Sequence, residues 1–169
     1  MYNTRKCDYP ALKVEKLVIF YLVGNKGDVQ QFQPIANSMF EYTQKVEKYQ
    51  KRHTCVDQYF FNLQGEPTAF SLELIKEQAD YVTSKIKELV LERDYDQFNI
   101  VAHSVGGYVA NIAMEDIRFP RDKLRNMINL ASPLLKPPQV LTHDLTVALK
   151  LIKNQDFYGK GVPRIDNVS

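Results

Sequence analysis

The sequence predicts an α/β fold: a doubly wound, mostly parallel sheet with helices on both faces. Three observations predict it. Apolar runs of strand length, Leu17–Val23 foremost, are hydrophobic throughout rather than alternating, as strands covered on both faces are. Between such runs lie segments whose apolar residues recur every three and four positions, the spacing of an amphipathic helix. Strand and helix patterns also take turns along the chain, and right-handed crossovers convert that order into a parallel sheet flanked by helices. The 169 residues, 44% hydrophobic and 25% charged, suffice for one domain, residues 1–169, with a sizeable core.

Taken in order, Leu17–Val23 is the first strand, and Gly24-Asn25-Lys26-Gly27-Asp28 breaks it. A helix is predicted from near Gln33 to Tyr49, with Pro34 tolerated in its first turn and a core face of Ile35, Met39, Phe40, Thr43 and Val46. Cys55–Leu63 is the second strand, and Gln64-Gly65-Glu66-Pro67 marks a loop. Ser71 is a candidate N-cap for a helix reaching about Arg93, along which Leu72, Ile75, Ala79, Val82, Ile86 and Leu89 share one face. A third strand runs through Phe98, Asn99, Ile100 and Val101 to Ser104, and the helix after it ends before Pro120. Met127–Leu130 forms a short fourth strand, followed by Ala131-Ser132-Pro133 and the Pro137-Pro138 pair. A last helix covers about Gln139 to Ile152. The tail, GVPRIDNVS, reads as the lead into a further strand, so the chain is expected to be the N-terminal part of a larger domain that lacks its C-terminal strands.

Several classes of function are excluded by composition. Net charge is +2 and basic residues form only short pairs such as Lys51-Arg52, so no nucleic-acid partner is expected. The longest apolar stretch, Leu17–Val23, falls well short of the roughly 20 residues a membrane-spanning helix needs. The polar N-terminus holds no signal-peptide core, so membrane association is expected only through segments absent from this chain. Cys7 and Cys55 show no metal-ligand spacing and either pair or remain thiols; no metal site is expected. Gly24-Asn25-Lys26-Gly27 follows a strand and precedes a helix, yet lacks the spacing of a phosphate loop, and Asp28 would repel phosphate at the helix start.

The segment richest in chemistry is Ile100–Ala113, IVAHSVGGYVANIA. An apolar run ends in His103-Ser104-Val105-Gly106-Gly107 and a helical pattern follows at once. Strand, sharp turn and helix with a serine at the apex is the nucleophile elbow of α/β-hydrolases. The elbow demands small residues two before and two after the serine, and Ala102 and Gly106 meet that demand with alanine in the place of the usual glycine. The plainer alternative is an ordinary strand-to-helix turn with a capping serine. Ligands of doubly wound sheets sit at the carboxyl ends of the strands. Here those ends are the loops after Val23, Ala102 and Leu130.

Four blocks and one strand end resemble the catalytic domain of the GPI inositol-deacylases, the PGAP/Bst-type lipases of the endoplasmic reticulum. Leu22-Val23-Gly24-Asn25-Lys26-Gly27 is similar to that family's Leu-Pro-Gly-Asn-x-Gly loop, with Val23 for the proline. Asp57–Phe70, DQYFFNLQGEPTAF, is similar to its Asp-Phe-Phe segment, with Asn62-Leu63-Gln64 departing from the acidic version. Glu77-Gln78-Ala79-Asp80-Tyr81-Val82 resembles its Glu-Gln-Ala-Glu-Tyr helix, and His103–Gly107 its Gly-His-Ser-Met-Gly-Gly elbow apart from Ala102 and Val105. Asn129-Leu130-Ala131-Ser132-Pro133 is similar to its Leu-Ala-Thr-Pro strand end. The similarity runs from roughly Lys16 to Pro133.

The resemblance implies hydrolysis of the acyl chain from the inositol of a GPI anchor, in the endoplasmic reticulum membrane, on an acylated lipid or GPI-anchored substrate and without a cofactor. Ser104 would be the nucleophile, and the backbone N–H of Val105 with one from Gly24, Asn25 or Lys26 would hold the oxyanion. Phe70, Leu134 and Leu135, with Pro137 and Pro138, could wall an acyl groove, or could instead pack the last helix onto the sheet. Hydrolases of this class take their acid and then their histidine from beyond the serine. His103 adjoins the nucleophile and is a poor base, His53 sits in a polar stretch, and His143 lies beside Asp144, which a helix turns to a different face. Asp156 and Asp166 fall in connecting segments, so the acid and base are expected past Ser169 and the isolated chain is expected to be weakly active or inactive. Two other functions remain open: a non-catalytic, hydrolase-like scaffold or partner-binding subunit, and another lipase or esterase of the same fold.

Overall fold

The computed structural model of the chain describes residues 2–3, 15–50, 54–63 and 67–134, together with His143, Thr146, Val147, Lys150 and Ile152. Five strands form one sheet: β1 (Tyr2–Asn3), β2 (Glu15–Leu22), β3 (Thr54–Phe61), β4 (Phe98–His103) and β5 (Leu124–Leu130). Three helices connect them: α1 (Gln33–Gln50), α2 (Leu72–Glu92) and α3 (Gly106–Ala113). The spatial order is β1-β3-β2-β4-β5. The pairs β2·β3, β2·β4 and β4·β5 are parallel, and β1 alone runs antiparallel, against β3. This is the α/β architecture expected from the sequence.

Alternation along the strands explains why helices cover both faces. Successive side chains of a strand point to opposite sides. On one side the Phe20 ring packs on Tyr59, Phe61 and Phe98, and Phe61 meets Tyr81 of α2 edge-on. On the other side Tyr21 stacks on Phe60 and tilts against Phe32, and the Gln58 amide donates to the Ala36 carbonyl of α1 (3.2 Å). Thus α1 lies on one face and α2 on the other. The third helix joins α2 there: Thr83 of α2 donates its hydroxyl to the Ala113 carbonyl (3.2 Å). From Val18 to Val23 every residue is buried, as the uninterrupted apolar run requires.

Buried polar groups are mostly satisfied. Tyr21 donates to Gln58 Oε1 (2.8 Å), Asn99 donates to the Val18 carbonyl (3.1 Å), and Asn126 donates to Asn99 Oδ1 (2.8 Å). Asp57 accepts from the Tyr95 hydroxyl, which also shares a hydrogen bond with Tyr59 (2.7 Å).

Helix α2 follows its expected limits, with Ser71 as N-cap accepting from the Leu74 N–H (3.2 Å). Two expectations are corrected and one short strand is added. The core face of α1 uses Ala36, 3% exposed, whereas Ile35 is 37% exposed. With Thr43 buried and Met39 and Phe40 half-buried, the stripe is centred one residue further on, which turns Ile35 outward. The fourth parallel strand begins at Leu124, three residues ahead of Met127, beside a register shift at Phe98/Asn99. The edge strand Tyr2–Asn3 pairs with Phe60 and Tyr59, and two residues are too few to carry a periodicity.

Cys55 is disulfide-bonded; Cys7 lies outside the described residues. The Gln64–Glu66 part of the expected loop, the Pro137-Pro138 pair and the C-terminal tail also lie outside them. Of the expected last helix, His143, Thr146, Val147, Lys150 and Ile152 are described, and all are helical.

Candidate active site

The strand order fixes one crevice. From β2 the chain crosses to β3 on one side, and from β3 it returns past β2 to β4 on the other. At such a reversal the connections diverge, and the carboxyl ends of the two central strands open between them. Leu22 and Ala102 are register partners at those ends. The loop Gly24–Gly27 therefore leaves one wall and Ser104 the other.

Ser104 sits in the left-handed region, with φ of 53°. A non-glycine residue there costs on the order of 1–3 kcal/mol and persists only where its surroundings over-determine it. They do so here. The Ser104 N–H donates to the Leu130 carbonyl of the neighbouring strand (2.9 Å), and its carbonyl accepts from the Gly107 N–H (3.1 Å), which starts α3. The serine is thus a hinge between a strand and a helix, half-buried at the rim of the sheet.

Three glycines make the hinge possible. A Cβ on Gly24 would stand 2.9 Å from Ser104 Cβ and 3.2 Å from His103 Nδ1. One on Gly106 would stand 2.5 Å from the Val23 carbonyl and 2.7 Å from that of Leu22, so α3 can approach β2 only through a residue without a side chain. One on Gly107 would meet Ser132 Oγ at 2.4 Å and Asn129 Oδ1 at 2.8 Å. The small residue two before the serine, Ala102, is fully buried.

Among the described residues, three backbone amides near the hinge are without a backbone acceptor, those of Val105, Asn25 and Lys26. Val105 is the N-cap residue of α3, where orphan N–H groups and the positive end of the helix dipole lie together. The Gly24–Gly27 turn is closed by Gly27 N–H to Gly24 O (3.0 Å), with Lys26 left-handed at φ 50° in the third position. Asn25 holds this turn from the side: its Oδ1 accepts from the Ala69 N–H (3.0 Å). The sequence motif gives Asn25 a backbone part only; its side-chain partner lies 44 residues away, and no local signal marks it.

Around the hinge, three buried polar atoms have no hydrogen-bond partner among the described residues: His103 Nδ1, Asn129 Oδ1 and Ser132 Oγ. The Tyr108 hydroxyl ties α3 to the loop after β5 by donating to the Pro133 carbonyl (2.8 Å). Burial pushes that phenol up to about 12.

The remaining sequence candidates separate. Phe70 closes the turn Thr68–Phe70 that meets Asn25. Leu134 is partly buried and packed against the core. Leu135, His53, Asp144, Asp156 and Asp166 lie outside the described residues, and His143 is exposed on a helix. Among the described residues no group of three or more His, Cys, Asp or Glu gathers as a metal site, and no helix is long and apolar enough to cross a membrane. The site thus sets the Ser104 hinge beside the Gly24–Gly27 loop, with Gly24 packed against Ser104 and His103.

Comparison with known proteins identifies relatives. The model of a family described as PGAP1-like alpha/beta domain matches residues 13–168. A GPI inositol-deacylase of Cryptococcus neoformans var. neoformans is 27% identical over 146 residues, a match covering 80% of this chain and 19% of that protein. A GPI inositol-deacylase of Chaetomium globosum is 23% identical over 144 residues, covering 75% of this chain and 13% of its own length. The chain thus spans about a fifth or less of the length of these relatives. Among solved structures, a gene product of Listeria innocua aligns with a TM-score of 0.49 at 14% identity, over 80% of this chain and 64% of that one. A hydrolase from Oleispira antarctica aligns at 0.44 and 19%, over 73% and 41%.

Proposed function

This chain belongs to the family of PGAP1-like alpha/beta domains, and on that premise we propose that it carries the nucleophile of a serine ester hydrolase that removes the acyl chain from the inositol of GPI anchors. The observation that carries the reading is Ser104, held left-handed between β4 and α3 at the topological switch point. Strain of that kind is kept where a side chain must be presented rather than packed.

In the proposed mechanism Ser104 Oγ attacks the ester carbonyl as its proton passes to a base. The carbonyl oxygen takes up negative charge and is met by the Val105 N–H and by an N–H of the Gly24–Lys26 loop. Removing one such donor typically costs about 3 kcal/mol of transition-state stabilisation. Collapse of the tetrahedral species breaks the ester bond, and the departing inositol oxygen takes the proton. Water then releases the acyl group from Ser104 by the same steps in reverse order. The base and its orienting acid are assigned to residues after Ser104 in the chain, the order of α/β-hydrolases. His103 is given a different place, against Gly24.

The substrate follows from the activity for which the relatives are named, GPI inositol-deacylase, and from the resemblance of the elbow and loop motifs. The endoplasmic reticulum is the proposed compartment, and the disulfide at Cys55 suits an oxidising lumen. Contact with the membrane is assigned to segments outside this chain.

The test is conversion of inositol-acylated GPI anchors to a form that phosphatidylinositol-specific phospholipase C can cut. Membranes carrying the longest form of the protein are expected to convert them, and Ser104→Ala to abolish conversion at unchanged protein level. Conversion that survives Ser104→Ala, or cleavage of other esters with GPI anchors untouched, would overturn the assignment.

A further inference from the structure

We infer that Asn25 is a positioning residue: its side-chain oxygen fixes the Gly24–Gly27 loop against the turn after β3, and so sets where the loop's N–H groups stand relative to Ser104. The inference deepens the hydrolase reading and rests on it for its catalytic consequence. Asn25 Oδ1 accepts from the Ala69 N–H at 3.0 Å, a contact between residues 44 positions apart. Among the described residues it is the one side-chain hydrogen bond that leaves the Gly24–Gly27 loop for another element.

The turn it grips is itself anchored. Ala69 and Thr68 are buried, and Thr68 donates its hydroxyl to Gln78 Oε1 of α2 (3.0 Å). The Ser71 N–H donates to the Thr68 carbonyl (3.4 Å), and Ser71 caps α2. The tie therefore runs from the loop through the turn to a 21-residue helix.

The loop needs such a tie. Lys26 is left-handed and exposed, a conformation that nothing in its own side chain stabilises. Gly24 packs against Ser104 and His103 on the inner side, so the amide hydrogens of Asn25 and Lys26 are aimed by how the outer side is held. Misplacement by about 1 Å in such a site can cost about a hundredfold in rate.

The test uses Asn25→Leu, which keeps the size and removes the acceptor, and Asn25→Asp, which keeps an acceptor oxygen in place. Backbone amide exchange at Ala69 reads the tie without any turnover, and the rate at which a fluorophosphonate labels Ser104 reads its consequence. Exchange at Ala69 is expected to quicken at least tenfold in Asn25→Leu, with Tm nearly unchanged, and to return toward the parent rate in Asn25→Asp. Labelling is expected to slow about ten- to a hundredfold in the first and to recover in the second. An Ala69 amide as protected in Asn25→Leu as in the parent, or as fast in Asn25→Asp as in Asn25→Leu, would overturn the inference. If Asn25→Leu does not fold, Asn25→Ala must show the same loss of protection. Labelling is read in the longest form of the protein, where a parent that takes no label counts against the hydrolase reading, while the exchange rates still decide the tie.

Discussion

Gly106 and Gly107 are neighbours in the chain and meet different walls. A Cβ on Gly106 would collide with the carbonyl oxygens of Val23 and Leu22, backbone atoms that cannot step aside without moving β2. A Cβ on Gly107 would collide with the Ser132 side chain and with Asn129 Oδ1. Gly106→Ala is therefore expected to destabilise by about 3 kcal/mol, with a Tm lower by roughly 5–10 °C. Gly107→Ala is expected to cost about 1–3 kcal/mol and to regain more than half of it in combination with Ser132→Gly. Thermal melts of the four variants, with Ser132→Gly alone as the fourth, check this; a Gly106→Ala protein as stable as the parent would contradict the close approach. At this scale the hinge is legible in the sequence itself, because Ala102, Ser104, Gly106 and Gly107 are bound by fixed local spacing. The role of the Asn25 side chain is not, because its partner is remote in sequence.

At the scale of the elements, periodicity carries most of the information. The apolar run Leu17–Val23 and the three-four stepping of α2 specify their structures with little help from context, and Ser71 marks a helix start by a local hydrogen bond. Where context decides, the pattern misleads by small amounts. On α1, Ala36 and Ile35 are both apolar, and only the position of β3 beneath the helix selects the alanine. Leu124, Arg125 and Asn126 lack an apolar run and join β5 because β4 offers them partners. The strand Tyr2–Asn3 exists only as a pairing with β3. Helix α3 is buried almost all round, which fits a helix set between α2, β2 and β4, and it follows the serine as directly as the sequence implies.

Four tyrosines of the molecule, Tyr21, Tyr59, Tyr95 and Tyr108, are buried, and this gives it a pH limit. Burial, the first cause in each case, pushes the hydroxyls of Tyr21, Tyr59, Tyr95 and Tyr108 above the ordinary 10.0, Tyr108 to about 12. The Asp57 carboxylate beside Tyr95 and Tyr59 acts in the same direction. As pH rises past 10.0, the unfolded chain releases these protons and the folded chain keeps them. The folded state then binds more protons than the unfolded, and stability falls with rising pH through the interval from 10.0 to about 12. An alkaline titration followed by tyrosinate absorbance and far-UV circular dichroism is expected to show these phenols ionising together with loss of helix. Smooth ionisation of every tyrosine near 10.0 in a folded chain would contradict it. The parallel order around β2 and β4 has a further consequence at this scale, since it alone brings the loop after β2 and the serine after β4 to one crevice.

That convergence is most directly tested by reaction of Ser104 with a fluorophosphonate probe in the longest form of the protein, mapped by peptide mass and compared with Ser104→Ala. The expected result is one adduct, on Ser104, absent from a Ser104→Ala protein of unchanged Tm. A well-folded parent that takes no label, or equal labelling of the two proteins at another residue, would contradict the assignment of Ser104 as nucleophile.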